Sequence, residues 1–562
     1  MLSDKPGVQD LVGVLAAKGL KYVVVSPGSR HAPISLSFHH HPDIELIVVP
    51  DERAAAYFAL GIAQYTGVAT AVLCTSGTAA ANYGPAIAEA FYQQIPLIAI
   101  TADRPEEWID QGDGQTIRQK NLLTEHTLAA YHLPTETSHP DSHWYLKRSV
   151  NEAWELANGT RKGPVHLNVP LREPLYNIVE GAISAPATFS VIHGKKTLSQ
   201  SQIESLQRAF SSYTKIMVLV GMGQHDAPTL AALRQLSALP QVLMLTETTA
   251  NLHDETIIGC IDRLLMAADH DQQLEMQPEL LITLGDQIIS KKIKTYLRQA
   301  KNLKHWHLGT DGKFSDTYQR LEFQIDADPH LVFSSLASLG GCGSYAVPFK
   351  ALNKDISNEQ TQRLEAFPWC DLTVFGKILP ALPANSILQM GNSSVVRYIQ
   401  LFDGRSDITY YGNRGTSGID GSTSTAAGMA HVANKTTTLI TGDIAFMYDI
   451  NGLWHEHKNN NLKIIVVNNG GGGIFKIIDG PRSTNALELI FEAKHNSDVK
   501  QLAAHFHIDY FHVSHQESLT EGLDWLYNQP GCKVLEIDTA DAENEIMLQA
   551  YFKELKNRNT QA

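Results

Sequence analysis

The chain has 562 residues, 43% hydrophobic and 19% charged, with a net charge of −14. That length suggests about three domains of a globular protein, and an acidic balance with no basic stripe argues against nucleic acid as a partner. Cys74, Cys260, Cys342, Cys370 and Cys532 are scattered without CxxC spacing, and no segment reads as a signal peptide or a membrane span, so a reducing cytoplasm is the expected compartment.

The apolar positions Val8, Leu11, Val12 and Leu15 predict a helix over residues 8–18 ended by Gly19. A strand over 22–25 stops at Ser26-Pro27-Gly28-Ser29-Arg30, and one over 45–49 ends in Pro50-Asp51-Glu52-Arg53 before a helix over 54–65. A strand over 71–74 meets the turn Thr75-Ser76-Gly77-Thr78, followed by a long Ala-rich helix and a strand over 97–100 with the turn Thr101-Ala102-Asp103-Arg104-Pro105. Strands alternating with helices at this spacing predict a parallel, doubly wound sheet whose strand ends carry Arg30, Glu52, Ser76 and Arg104.

Residues 177–200, rich in Ser, Ala, Pro and Thr, read as a linker. A second unit opens at 216–220 with Gly221-Met222-Gly223, which lacks the third glycine of a dinucleotide fingerprint and reads as a tight strand-to-helix turn. Strands follow over 241–245 and 280–285. Beside the latter, Lys291, Lys292 and Lys294 form a basic cluster, either a solvated face or an anion clamp. A polar segment over 353–362 closes this unit. The third unit begins near Asp371 and presents Gly391-Asn392-Ser393 after a strand over 386–390, then Asn413-Arg414-Gly415 and Ser417-Gly418-Ile419-Asp420-Gly421. The expected architecture is α/β, three doubly wound parallel-sheet domains over 1–180, 195–345 and 360–562.

One stretch organises the rest. A strand running to Ile440 ends in Gly442-Asp443, and the strand over 462–467 ends in Asn468-Asn469-Gly470-Gly471, so two parallel strands bring Asp443 and Asn469 to one sheet edge. A carboxylate, an amide oxygen and a backbone carbonyl make three hard oxygens that suit Mg²⁺ or Mn²⁺ holding a diphosphate. Either motif alone is an ordinary turn, since Asp and Asn are common there, but their pairing across residues 444–467 favours the ligand.

This stretch resembles the cofactor motif of the thiamine-diphosphate-dependent enzymes. The resemblance implies the three-domain plan, with Asp443, the Asn469 side chain and the Gly471 carbonyl as metal ligands. It also places Ser76, Gly391, Asn392, Ile419 and Gly442 around thiamine diphosphate, Ile419 as an apolar prop. Glu52, which alone would pass for a helix N-terminal charge, would reach the cofactor's aminopyrimidine as the catalytic carboxylate. The order of the blocks further resembles the branch that serves menaquinone biosynthesis, decarboxylating 2-oxoglutarate and adding the succinyl semialdehyde unit to isochorismate. By that resemblance Ser29, Arg30, Arg104, Gln115, Lys291, Ser393, Arg397 and Arg414 line the substrate pocket, where arginine forks suit carboxylates.

Residues 111–121 contain no histidine of the kind simple decarboxylases use, and His39-His40-His41 reads as a solvated run at a helix end. Residues 474–495 are a candidate lid. A homodimer or homotetramer is implied, the two cofactor-binding domains coming from different subunits. The alternatives are an acetohydroxyacid synthase-type carboligase, with an apolar pocket and usually FAD in the middle domain, and a non-catalytic diphosphate sensor that would not need Glu52.

Overall fold

The computed structural model describes residues 2–181, 186–309, 312, 314–458, 460–478 and 480–558; residues 182–185 of the expected linker, and residues 1 and 559–562 at the ends, lie outside them. Uninterrupted aliphatic and β-branched runs become strands, with small and polar residues at their ends. A short strand β1 (Leu2–Ser3) precedes β2 (Tyr22–Val25), β3 (Glu45–Val48), β4 (Thr70–Cys74), β5 (Leu97–Asp103), β6 (Ala129–His132) and β7 (Pro164–Pro170), and β8 (Ile178–Val179) returns antiparallel to β1. Strands β2 to β7 form a parallel sheet in the order β3-β2-β4-β5-β7-β6.

The middle sheet holds β9 (Ile216–Val220), β10 (Val242–Thr246), β11 (Leu280–Leu284), β12 (Lys304–Leu308) and β13 (Leu321–Ile325), ordered β10-β9-β11-β12-β13. The last holds β14 (Ile387–Met390), β15 (Thr409–Gly412), β16 (Thr437–Gly442), β17 (Leu462–Asn468), β18 (Asp509–Val513) and β19 (Lys533–Asp538), ordered β15-β14-β16-β17-β19-β18. Numbered within each domain, both outer sheets run second-first-third-fourth-sixth-fifth. In such a sheet the winding reverses between the first and third strands, and a crevice opens beyond their carboxyl ends. Those ends are Ser26–Arg30 and Thr75–Thr78 in the first domain, and Gly391–Ser393 and Gly442-Asp443 in the last.

The middle sheet reverses between β9 and β11, and there the two loops bond to each other, while cavities of about 400 and 200 Å³ border Gly285 and Asp286. Gly221 donates to the Leu284 carbonyl at 2.8 Å, Met222 to Gln287 at 3.2 Å and Asp286 to Met222 at 2.8 Å. A Cβ on Gly221 would stand 2.2 Å from the Asp286 carbonyl oxygen, so only glycine permits this pairing.

The outer domains share a core. Helix Glu52–Thr66 crosses helix Ser422–Val432 with backbones in contact: a Cβ on Gly61 would lie 2.1 Å from the Thr425 carbonyl oxygen, and one on Gly428 2.0 Å from that of Phe58. Ala55, Ala59 and Ala63 meet Ala426, Ala427 and Ala430 in one buried cluster that also takes in Val72 of the first sheet and Leu439 and Ile464 of the last.

Three local expectations change. The single Ala-rich helix is two, Thr78–Ala81 and Gly84–Gln93, because the Asn82 N–H closes the first turn and Pro85 has no N–H to continue it. Strand β5 runs through Thr101 to Asp103, so its turn starts at Arg104. Residues 353–362 lie inside helix Val347–Glu365, a polar helix that buries Phe349, Ile356 and Gln360. No helix among the described residues is long and apolar enough to cross a membrane.

The crossing gives a direct test. Gly428→Val forces a side chain into the Phe58 backbone and is expected to cost about 1–3 kcal/mol or more, read as a lowered thermal unfolding midpoint, whereas Gly84→Ala, with open space around it, leaves the midpoint unchanged.

Candidate active site

Asp443 ends β16 as the first residue of helix Asp443–Tyr448 and is 2% exposed. Its Oδ1 accepts the Ile444 N–H at 2.8 Å, and its Oδ2 accepts the Gly471 N–H at 2.8 Å and approaches His495 Nε2 at 3.1 Å. Burial pushes this carboxyl above its ordinary value, and the backbone donors and His495 pull against it. Asn469 follows β17, its Nδ2 donating at 3.1 Å to Asp371 Oδ2. Asp371 is itself buried and raised to about 6, its Oδ1 accepting the Thr539 hydroxyl at 2.6 Å.

Gly470 and Gly471 take φ of +78° and +152°, and a Cβ on Gly471 would meet the Glu492 carbonyl oxygen at 2.7 Å. The Gly471 carbonyl accepts the Gly473 N–H at 3.0 Å and keeps a second lone pair. Gly442, Asp443, Asn469 and Gly471 wall one cavity of about 160 Å³ with Asn392, Ser393, Ile419 and Phe475. Among the described residues no three His, Cys, Asp or Glu side chains are placed to hold a metal, so a cation here would rest on one carboxylate, one amide oxygen and one carbonyl.

The neighbouring turn is an arch. Asn392, 1% exposed, donates to the Asn413 carbonyl at 2.7 Å and the Gly418 carbonyl at 2.6 Å, and its Oδ1 accepts Arg414 Nη1 at 2.7 Å. Gly391 bonds Ile440 at 2.7 Å, and Ser393 turns the chain at φ +68° with its carbonyl on Arg397 Nη1. Other domains hold this arch from outside. Glu89, fully buried on helix Gly84–Gln93, accepts the Gly415 and Thr416 N–H groups at 2.7 Å each and the Thr416 hydroxyl at 2.6 Å. Gln93 donates to Gly412, Tyr57 to Asp420, and Gln287 of the middle domain to Gly415.

Cations gather beside it. Burial lowers both Arg414 and Arg397 from the usual guanidinium value, and for Arg414 the nearby Arg397 charge adds to the effect. The Glu247 and Glu89 charges oppose the shift at Arg414, and Asp262 opposes it at Arg397. Arg397 and Ser394 line a second cavity of about 580 Å³ with Lys291, Lys292 and Asp262, and the two cavities share Ser394 and Ile474. Lys291 is the first residue of helix Lys291–Gln299, capped by Ser290, where a cation opposes the helix dipole. Lys292 stands over the Phe552 ring at 5.4 Å, and Lys294 turns to the Ile288 carbonyl, so the lysine cluster is divided.

The first domain presents its set at its own sheet edge. Asp51 caps helix Glu52–Thr66, accepting Arg53 N at 2.8 Å and Ala54 N at 3.2 Å, so Glu52 is not the cap; its charge instead bears on Tyr83 and Cys74 behind it. Ser76 is 3% exposed with its Oγ lacking a partner among the described residues. Gln119 holds that turn, accepting the Gly77 N–H at 2.8 Å. Ser29 is exposed, Arg30 reaches Leu171 and Glu173, Arg104 meets Asp113 and Gly114, and Gln115 (φ +55°) lies against Gly77. None of these residues lines either cavity of the last domain.

Sequence reasoning passed over Glu89, Asp371 and His495. Glu89 alone carried a readable signal, a single acid on the apolar face of an Ala-rich helix. In the expected lid, Phe475 packs on Phe491 at 5.7 Å and Lys476 pairs with Glu492 at 2.9 Å. His39–His41 sit at the end of helix Ala32–His39, as expected.

Three family descriptions match the chain: thiamine pyrophosphate enzyme N-terminal TPP binding domain over residues 6–122, middle domain of thiamine pyrophosphate over 195–390, and the C-terminal TPP binding domain over 389–537. Proteins named 2-succinyl-5-enolpyruvyl-6-hydroxy-3-cyclohexene-1-carboxylate synthase are similar along their whole length. The one from Flavobacterium johnsoniae is 40% identical over 97% of this chain and 98% of its own. That of Flavobacterium psychrophilum is 39% identical over 98% and 99%, and that of Porphyromonas gingivalis 38% over 98% and 97%.

Removing the outside hold on the arch has a measurable cost. Glu89→Ala strands the buried Gly415 N–H, worth about 1–3 kcal/mol, and takes the acceptor from two part-buried donors of Thr416, so it is expected to lower the unfolding midpoint well beyond the effect of Thr416→Val, which strands none of the backbone N–H groups.

Proposed function

The chain belongs to the thiamine pyrophosphate enzymes, and we propose that it decarboxylates 2-oxoglutarate and adds the succinyl semialdehyde unit to isochorismate, making 2-succinyl-5-enolpyruvyl-6-hydroxy-3-cyclohexene-1-carboxylate for menaquinone biosynthesis. The observation that carries this reading is the desolvated pair Arg397 and Arg414, joined by Lys291, beside the cavity walled by Gly442-Asp443 and Asn469-Gly471. Both substrates are dicarboxylates, and two buried arginine forks with a lysine beside the cavities suit the binding of carboxylates.

The residues fit the cofactor. Ser76 offers an orphaned buried hydroxyl, Glu52 a carboxyl group free of the helix cap, Ile419 an apolar wall, and the turn at 470–473 backbone without side chains. When bound, thiamine diphosphate would supply the electron sink that lets carbon dioxide leave 2-oxoglutarate and makes that substrate's former keto carbon nucleophilic toward the acceptor. Glu52 holds the proton at the pyrimidine ring nitrogen. Asp443, the Asn469 amide oxygen and the Gly471 carbonyl hold Mg²⁺ or Mn²⁺ at the diphosphate, with Gly391, Asn392 and Gly442 shaping the floor. Arg397, Arg414, Lys291 and Ser393 orient the substrate carboxylates, while the closing of residues 474–495 keeps water out.

Ser29, Arg30, Glu52, Ser76, Arg104 and Gln115 complete this site from a second copy, because in one chain they stand apart from the cavities of the last domain. The working unit is thus a homodimer or homotetramer, with the pyrimidine-binding part over residues 1–180, a central part over 195–345 and the diphosphate-binding part over 360–562. We place it in the cytoplasm, in keeping with five free cysteines. An acetohydroxyacid synthase-type reaction is disfavoured by Lys291 and Arg397 on the cavity wall, where pyruvate would call for an apolar pocket.

Isochorismate absorbance is expected to fall only when 2-oxoglutarate, thiamine diphosphate and Mg²⁺ are all present; consumption of pyruvate instead would contradict the assignment. Glu52→Gln should lower turnover by about 10²- to 10⁴-fold, while calorimetry still detects cofactor and metal binding. Light scattering should give a dimer or larger, and an active cofactor-loaded monomer would refute the shared site.

A further inference from the structure

Asp371 carries a role that its place in the sequence, at the start of a helix, does not reveal. It is a carboxylate with 2% exposure, no cation paired with it among the described residues, and each oxygen committed to one donor there: Oδ2 to Asn469 Nδ2 at 3.1 Å, Oδ1 to the Thr539 hydroxyl at 2.6 Å. Its own N–H donates to Asn544 Oδ1 at 2.7 Å, and Asn544 Nδ2 returns to the Thr539 carbonyl at 3.1 Å. Thr539 N in turn donates to the Asn468 carbonyl at 2.8 Å, so the whole group is tied to the last residue of β17.

The chemistry of an amide makes this arrangement directional. One end of the Asn469 side chain donates and the other accepts, and an ionised carboxylate can only accept. Asp371 therefore fixes the amino end on its own side and turns the oxygen away. On another face a Cβ on Gly473 would come within 2.9 Å of Asn469 Nδ2, so the amide is packed as well as bonded. A flipped amide would present N–H to the place where Asp443 and Gly471 present oxygen, and a hard cation would lose one of three ligands.

We propose that Asp371 is a positioning residue that locks Asn469 in the orientation in which its amide oxygen serves a divalent cation. This rests on the reading of Asn469 as a metal ligand, and the test separates the two. Groups that orient metal ligands change metal affinity by about 10- to 100-fold when removed. The substitution Asp371→Asn keeps the lock, because its amide oxygen can face Asn469 while Thr539 accepts from its nitrogen and turns its proton to the Asn468 carbonyl, 3.4 Å away. Asp371→Ala removes it.

The experiment is a Mn²⁺ titration of the full-length protein with thiamine diphosphate, followed by loss of the free-ion paramagnetic resonance signal. D371A is expected to weaken Mn²⁺ binding by about 10- to 100-fold, D371N to recover most of it, and D371A combined with N469A to bind no more weakly than N469A alone. A merely structural Asp371 would give additive losses and no such rescue, and would be overturned as a lock. If D371A does not fold, T539V is the probe, with a smaller weakening in the same direction; an unchanged Kd there refutes the proposal. If N469A binds Mn²⁺ as tightly as the parent, the ligand reading itself fails, whereas a weakened N469A beside unchanged D371A and D371N refutes only the lock.

Discussion

The contact on which the structure depends is the backbone crossing at Gly61 and Gly428. Two helices that touch carbonyl to Cα leave no layer of side chains to slide, so the first and last sheets share one core and backbone packing fixes how closely these helices approach. Everything polar at the site inherits that rigidity. The same helix that supplies Gly61 begins at Glu52 and carries Tyr57, which anchors the arch at Asp420. A shift at the crossing would be felt at once by Glu52 and by the turn that holds Arg414.

Strand order then decides where chemistry can occur. Three sheets in one chain reverse their winding between first and third strands, and each reversal offers a crevice. In the outer two the crevice edges carry glycines, hydroxyls and an acid, and the largest part of the motif residues falls there. In the middle sheet glycines at 221 and 285 bring the two loops together until they bond to each other. Glycine thus serves open strand ends in two sheets and a bonded pair of loops in the third, and only the backbone partners distinguish the cases.

Much of this was legible in the residues. Aliphatic runs such as Ile216–Val220 and Leu462–Asn468 leave little choice but a buried parallel strand, and Gly-Asp and Asn-Asn at strand ends mark an edge by their chemistry. The Ala-rich segment after Thr78 was misread because alanine propensity outweighed the interruption at Gly84-Pro85, and the polar helix over 347–365 because its buried face is only three residues wide. Glu89, Asp371 and His495 escaped because each acts across more than 25 residues of chain: Glu89 on Gly415, Asp371 on Asn469, His495 on Asp443. A local pattern can announce a ligand, but the residue that aims it is found only once the chain has folded.

The bonded loops of the middle sheet also act as a brace for a neighbouring domain. Gln287 accepts the Met222 N–H through its carbonyl and donates its side-chain amide to the Gly415 carbonyl, so a turn that only glycine can make in one domain steadies the arch of another.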